Sequence, residues 1–162
     1  MSHQRFTYDT YYSYFQDIAT KHKEIKGFVK QDVQDAVQYL QQAEKRPAMI
    51  ISSFKENLSS HQADNDLSLK QISFGIVDHY SSKAKNPRTK QQIIGDCRVL
   101  AIDVITYLRR EKRANRLPGF RIDVISEGMA IVNEMDEFYG WEYQISIYST
   151  EDLSFDESKW NL

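Results

Sequence analysis

Residues 86–120 read NPRTKQQIIGDCRVLAIDVITYLRREKRANRLPGF, and their apolar positions recur every three or four residues. Ile93, Ile94, Cys97, Leu100, Ala101, Val104, Ile105 and Leu108 therefore share one face of a helix. Arg98, Asp103, Arg109 and Arg110 fall mostly off that face. Asn86 suits an N-cap, and Pro87 gives up only an N–H that is unpaired at a helix start anyway. Pro118-Gly119 supplies a break. The spacing predicts a helix over 86–114. Beyond Gly119 the period changes from 3.6 to two. Phe120, Ile122 and Val124 alternate with Arg121, Asp123 and Ile125, and Trp141, Tyr143, Ile145 and Ile147 alternate with Glu142, Gln144, Ser146 and Tyr148. Alternation with aromatic and β-branched residues means strands with one buried face.

The chain before residue 86 must fit around that helix and its strands. Tyr8, Tyr11, Tyr12, Phe15, Ile18 and Ala19 recur at helical spacing and predict a first helix over 7–23, with its aromatic face packed on the sheet; the alternative is a partner surface, because tyrosines are frequent at interfaces. Gly27 ends that pattern. Val33, Ala36, Val37 and Leu40 predict a short helix over 32–44, stopped by Pro47. Ala48-Met49-Ile50-Ile51 begins a strand that continues toward Phe54. Residues 57–66 are polar and read as a loop. A second strand runs from Leu67 or Leu69 to Tyr80. Ile72, Phe74, Ile76 and Asp78 share one of its faces, and Ser73, Gly75, Val77 and His79 share the other. Apolar residues on both faces suit a central strand or one covered by a neighbouring subunit.

The expected order is α-α-β-β-α-β-β. It makes a single α+β domain over 1–162, with a small four-stranded mixed or antiparallel sheet, the long helix packed on it and the helices on one side. An acidic tail over 150–162 carries Leu153, Phe155 and Trp160 as apolar anchors.

At 162 residues, with 41% hydrophobic and 27% charged, the chain has the material for one core. A lone cysteine forbids an intramolecular disulfide, and its place in the helical stripe marks it as a core residue. No apolar run reaches the length of a membrane span, and residues 1–14 lack the apolar stretch of a signal peptide. These features fit a soluble protein of a reducing cytoplasm, with no membrane partner.

Catalytic signals are sparse. Asp78-His79 suggests a general base and its orienting acid, but neighbours on a strand point to opposite faces. His3, His22 and His61 have no partner at metal-ligand spacing, and no zinc pattern occurs. Glu134, Asp136 and Glu137 have the charge to hold a divalent cation, although a solvated turn explains them as well. Glycines stand singly, so no phosphate-binding loop exists. The expectation is a non-enzymatic protein without metal or cofactor.

Charge is unevenly distributed. Residues 83–116 hold ten bases against three acids, a net of +7, while residues 117–162 hold two bases against ten acids, a net of −8. The whole chain nets only −2. Either the two segments neutralise each other within one subunit, or a basic and an acidic surface meet between subunits. A head-to-tail contact of the second kind is heterologous and closes into rings. The expected interface sets Arg109, Arg110 and Arg113 of one copy against Glu134, Asp136 and Glu137 of the next.

The order of elements resembles the small tail-terminator and neck proteins of tailed bacteriophages, in the form found as phage-like proteins of Bacteroidetes genomes. The features that carry it are Tyr14-Phe15, Ile18-Ala19 and His22-Lys23 in the first helix, Pro47-Ala48-Met49-Ile50-Ile51, and Phe138-Tyr139-Gly140-Trp141 entering the last strand. The resemblance implies a structural virion protein at the head–tail junction, assembled in the host cytoplasm. It implies a homo-hexameric ring contacting tail tube and head-connector proteins. The alternative is a nucleic-acid-binding accessory protein that uses the bases of residues 83–116 on phosphates. Aromatic residues are not interleaved with those bases, which disfavours a single-strand stacking platform.

Overall fold

The long helix of the sequence reading is present, and the sheet it packs on has six strands rather than four. The computed structural model describes residues 7–30, 36–52, 55–59, 66–117 and 121–151. In chain order the elements are α1 (Tyr8–Lys21), β1 (Gly27–Lys30), α2 (Ala36–Leu40), a 3₁₀ turn (Ala43–Lys45), β2 (Ala48–Ile51) and β3 (Lys55–Ser59), followed by β4 (Asp66–His79), α3 (Lys90–Arg113), β5 (Arg121–Asn133) and β6 (Phe138–Glu151). The sheet runs β1-β2-β4-β6-β5. β1 and β2 are parallel, and the other pairs are antiparallel. β2 and β3 follow each other along one edge of β4.

The apolar stripe explains the architecture. Ile93, Cys97, Leu100, Ala101, Val104, Ile105 and Leu108 are buried on α3, and they meet Ile72, Phe74 and Ile76 of β4 and Tyr139, Ile145 and Ile147 of β6. α1 lies on the same face. Its Tyr11, Phe15, Ile18 and Ala19 are buried, and the rings of Phe15 and Phe74 stand 6.0 Å apart. Full burial of one such ring contributes about 1.5–3 kcal/mol. The aromatic face of α1 is thus a packing face, as its spacing predicts.

Helix ends follow local chemistry. Thr7 caps α1 by accepting from the Thr10 N–H. α3 starts at a capping box: Thr89 Oγ1 accepts from the Gln92 N–H (3.1 Å), and Gln92 Oε1 accepts from the Thr89 N–H (2.7 Å). This corrects the expected start at Asn86, because two reciprocal bonds outweigh the single cap an Asn-Pro pair offers. At the other end Asn115 adopts φ 53°, Asn115 N–H donates to Lys112 O and Arg116 N–H to Glu111 O. That bond pair closes the helix with a left-handed residue, before Pro118-Gly119, which lies outside the described residues.

Four further expectations need correction. Gly27, which ends the first helical pattern, also opens the unexpected strand β1; four residues are too few to display alternation, and only parallel pairing with β2 makes them a strand. A Cβ on Gly27 would lie 2.4 Å from Lys45 O, so the glycine admits a close approach. β3 occupies part of the expected loop, because Lys55, Glu56 and Asn57 are exposed and polar yet pair with β4. Among the described residues α2 covers Ala36–Leu40 and ends before the expected Glu44, and it packs Ala36 and Leu40 on the opposite sheet face, against Val29, Ala48, Ile50, Val77 and Phe138. The helices therefore cover both faces, not one. β5 and β6 form one long hairpin, and residues 134–137 are its turn. Gly140 permits the β4–β6 ladder there, since a Cβ would meet Ile76 O at 2.0 Å. Residues 32–35, Phe54, 60–65 and the tail from 152 onward lie outside the described residues.

Leu100 is 6% and Ile105 7% exposed within this core. Changing either to Asp buries an unpaired charge and costs more than about 4 kcal/mol, near the whole stability of a small domain. Loss of soluble folded protein, read by circular dichroism and soluble yield, is expected at both positions. Folded variants at both would overturn the packing described here.

Candidate functional site

The acidic trio and the basic trio lie at opposite ends of the molecule. Glu134, Asp136 and Glu137 form the β5–β6 turn, which meets the start of α3: Lys90 Nζ is 3.8 Å from Glu134 Oε1. Arg109, Arg110 and Arg113 are exposed in the last two turns of the same helix. A 24-residue helix is about 35 Å long at 1.5 Å per residue. The two trios are thus several Debye lengths apart in physiological salt and do not neutralise each other within one chain.

Each end has local work as well. Asn133 Nδ2 donates to Asp136 Oδ2 (3.0 Å) and the Asp136 N–H donates to Asn133 Oδ1 (3.2 Å). His79 Nε2 is 3.7 Å from Glu137 Oε2. Arg110, Lys112 and Arg113 sit in the last turn of α3, where positive charge favours the helix dipole. The rest of the basic segment is largely engaged. Arg88 pairs with Asp78 and Asp96, and Arg98 lies over the Trp141 ring. Lys90 lies over Tyr139 (5.0 Å), and Arg116 binds Glu111 through two bonds of 3.0 and 2.7 Å. Those bonds hold the Glu111 carboxyl below its usual range.

A cleft of about 410 Å³ opens where the α1–β1 connection, Pro47, the end of β4 and the first turns of α3 meet. Its floor is the Arg88 bridge. Asp78 is only 7% exposed and accepts from Arg88 Nη2, while Arg88 Nη1 donates to Asp96 Oδ2 at 3.2 Å. Cys97 lines the same cleft, and its thiol donates toward Tyr139 O at 3.9 Å. Burial, aided by the Asp78 carboxylate, pushes this thiol up to about 12. It is a packed, un-ionised group rather than a nucleophile.

Asp78 and His79 do point to opposite faces. Asp78 joins the α3 side, and His79 stacks edge-on against Phe138 at 5.3 Å on the other. The carboxylate that His79 approaches is Glu137, not Glu134 or Asp136. Among the described residues neither partner hydrogen-bonds a hydroxyl or thiol, and no three His, Cys, Asp or Glu side chains converge to hold a metal.

Sequence reading missed two buried charges, Glu111 of the Arg116 pair and Lys70. Lys70, 2% exposed, donates to Ser68 Oγ (2.7 Å) and Ser149 Oγ (2.8 Å), with Glu56 Oε1 at 2.9 Å. The strand period that puts Ile72, Phe74 and Ile76 inward also puts Lys70 inward, so the signal was there. Glu56 gives the ammonium a counter-ion, and the two hydroxyls give it acceptors, so this buried group is both paired and hydrogen-bonded. No helix among the described residues is long and apolar enough to cross a membrane. No protein-family model matches the chain, and no curated protein matches it.

Two tests follow from the cleft. Arg88→Ala leaves the Asp78 carboxylate buried without its guanidinium and costs about 1–3 kcal/mol in denaturant unfolding. Adding Asp78→Asn should recover part of that loss. Cys97 should resist a maleimide at pH 8 in the native protein and react fully once denatured; rapid native labelling would contradict the burial described here.

Proposed function

We propose that this chain is a structural component of a phage or phage-like particle, a ring-forming protein of the tail–neck junction. The observation that carries this reading is the separation of charge. The acidic hairpin and the basic helix end lie at opposite ends of one domain and do not face each other within it, and on this reading another copy supplies their complement beyond the local contacts of Glu134 with Lys90 and Glu137 with His79. A head-to-tail contact of acids on bases propagates, and it closes into a ring when the rotation between copies divides a full turn. Complementary charge of this kind sets register and steers assembly. The resemblance in element order supports the same reading, and the number six comes from it alone. The partners are further copies, the tail tube and the head connector, and the place of action is the virion. On this reading the protein is not an enzyme, and the ion-paired cleft serves to anchor the β4–α3 connection.

A second reading rests on one observation. Arg109, Arg110, Lys112 and Arg113 fall within five positions at an exposed helix end. Such a group neutralises phosphates and makes an accessory protein that binds nucleic acid with steep salt dependence.

Replacing Glu134, Asp136 and Glu137 together by Lys separates the two. Single exposed pairs contribute under about 1 kcal/mol, so all three are reversed. The expected product is folded but forms no rings by sedimentation at moderate salt and fails to enter assembled particles. Adding Arg109→Glu, Arg110→Glu and Arg113→Glu should partly restore assembly. Unchanged rings and unchanged particle incorporation would overturn the proposal, and tight, salt-sensitive gel shifts with DNA would favour the second reading.

A further inference from the structure

Met135 is 95% exposed at the apex of the β5–β6 turn. Val132, on the strand leading to it, is 57% exposed. The apex is not a loose loop. Asn133 clamps Asp136 from both sides, Tyr80 N–H donates to Glu137 O at 2.8 Å, and Glu137 holds φ 57°. A non-glycine residue in that left-handed conformation is strained, and strain of this kind persists where surrounding contacts over-determine it. The fold thus braces a bare apolar side chain in water with an acid on either side. Among the described residues none packs over it. A pre-organised anchor loses little freedom on binding, which is what an interface anchor requires.

The opposite end of the chain offers the complement. Tyr107 and Leu117 are half-buried on the rim of the main core, at the end of α3. Arg110 is one turn from Tyr107 on the helix surface, and Arg113 follows one turn later. A partly buried aromatic and apolar patch, with Lys21 bonded to Tyr107, the Glu111–Arg116 pair beside it and Arg110 and Arg113 along the helix, offers a net basic surface to an apolar apex flanked by acids. Thioether sulfur also packs favourably on aromatic rings. We infer that the hairpin apex of one copy seats Met135 beside Tyr107 and Leu117 of the next, with Glu134 and Asp136 against Arg110 and Arg113. This rests on the ring reading above and names its apolar anchor: charge selects the partner face, and Met135 holds it.

The test keeps charge constant. Met135→Ser is expected to weaken self-association about tenfold, the loss of one well-packed interface side chain. Met135→Leu is expected to retain it. Because the side chain is solvent-exposed, both variants keep the wild-type circular dichroism. Mixing Met135→Cys copies with Leu117→Cys copies and adding a short bis-maleimide should give cross-linked pairs, and one chain carrying both cysteines should give higher ladders. Either variant alone should give none. Rings that form at full strength with Met135→Ser, or cross-links within Met135→Cys alone, overturn the anchor and leave the ring reading standing. A wild-type protein that forms no rings alone and none in particles overturns both.

Discussion

Everything in this fold depends on the seating of α3 across β4 and β6. Seven apolar side chains of one helix face meet the inward residues of the two longest strands. The contact is non-local, since β4 precedes the helix and β6 follows it by a whole further strand. It therefore defines the domain: α1 fills the space left beside α3, and β1 and β2 extend the sheet beneath α1. α2 closes only the opposite face, over a much smaller cluster. The helix is also what sets the molecule's length, and so the distance between its charged ends.

Polar groups inside the domain are handled by pairing. Asp78 faces the α3 side because its strand position dictates it, and Arg88, from the connection that leads into α3, meets it there. Lys70 sits one inward position before Ile72 and is neutralised by Glu56 from the neighbouring strand β3. In both cases an inward-facing charge on β4 ties a second element to the sheet. A buried pair adds little net stability against an apolar alternative, but it penalises any register that separates the partners. For a 14-residue strand bordered on both edges, that penalty specifies how β3 and the β4–α3 connection must lie.

The charge division has a structural logic of its own. Bases in the last turn of a helix suit its dipole, and acids in a tight turn suit solvent. Local stability alone would thus produce some of the asymmetry seen here. It does not account for an apolar apex between the acids, nor for a basic end larger than the dipole needs. Those two excesses, at opposite poles of one elongated domain, are what the assembly reading uses.

Long periodic elements were legible in the sequence. The stripe from Ile93 to Leu108 states a helix, because spacing and burial are the same fact seen twice. The alternation from Trp141 to Ile147, and the two faces of β4, were equally plain. β1 and β3 were not, since Gly-Phe-Val-Lys and Lys-Glu-Asn-Leu-Ser become strands only through neighbours distant in the chain. The two carboxylate and arginine trios were visible as composition, but their separation was not: it follows from the hairpin folding back to the start of α3. Sequence alone determined which faces are apolar and which segments carry charge, because both are local properties of side chains. Only the tertiary structure decided which charges meet, which are buried, and that the acidic and basic ends stand a helix length apart, because those depend on how the elements are laid against each other.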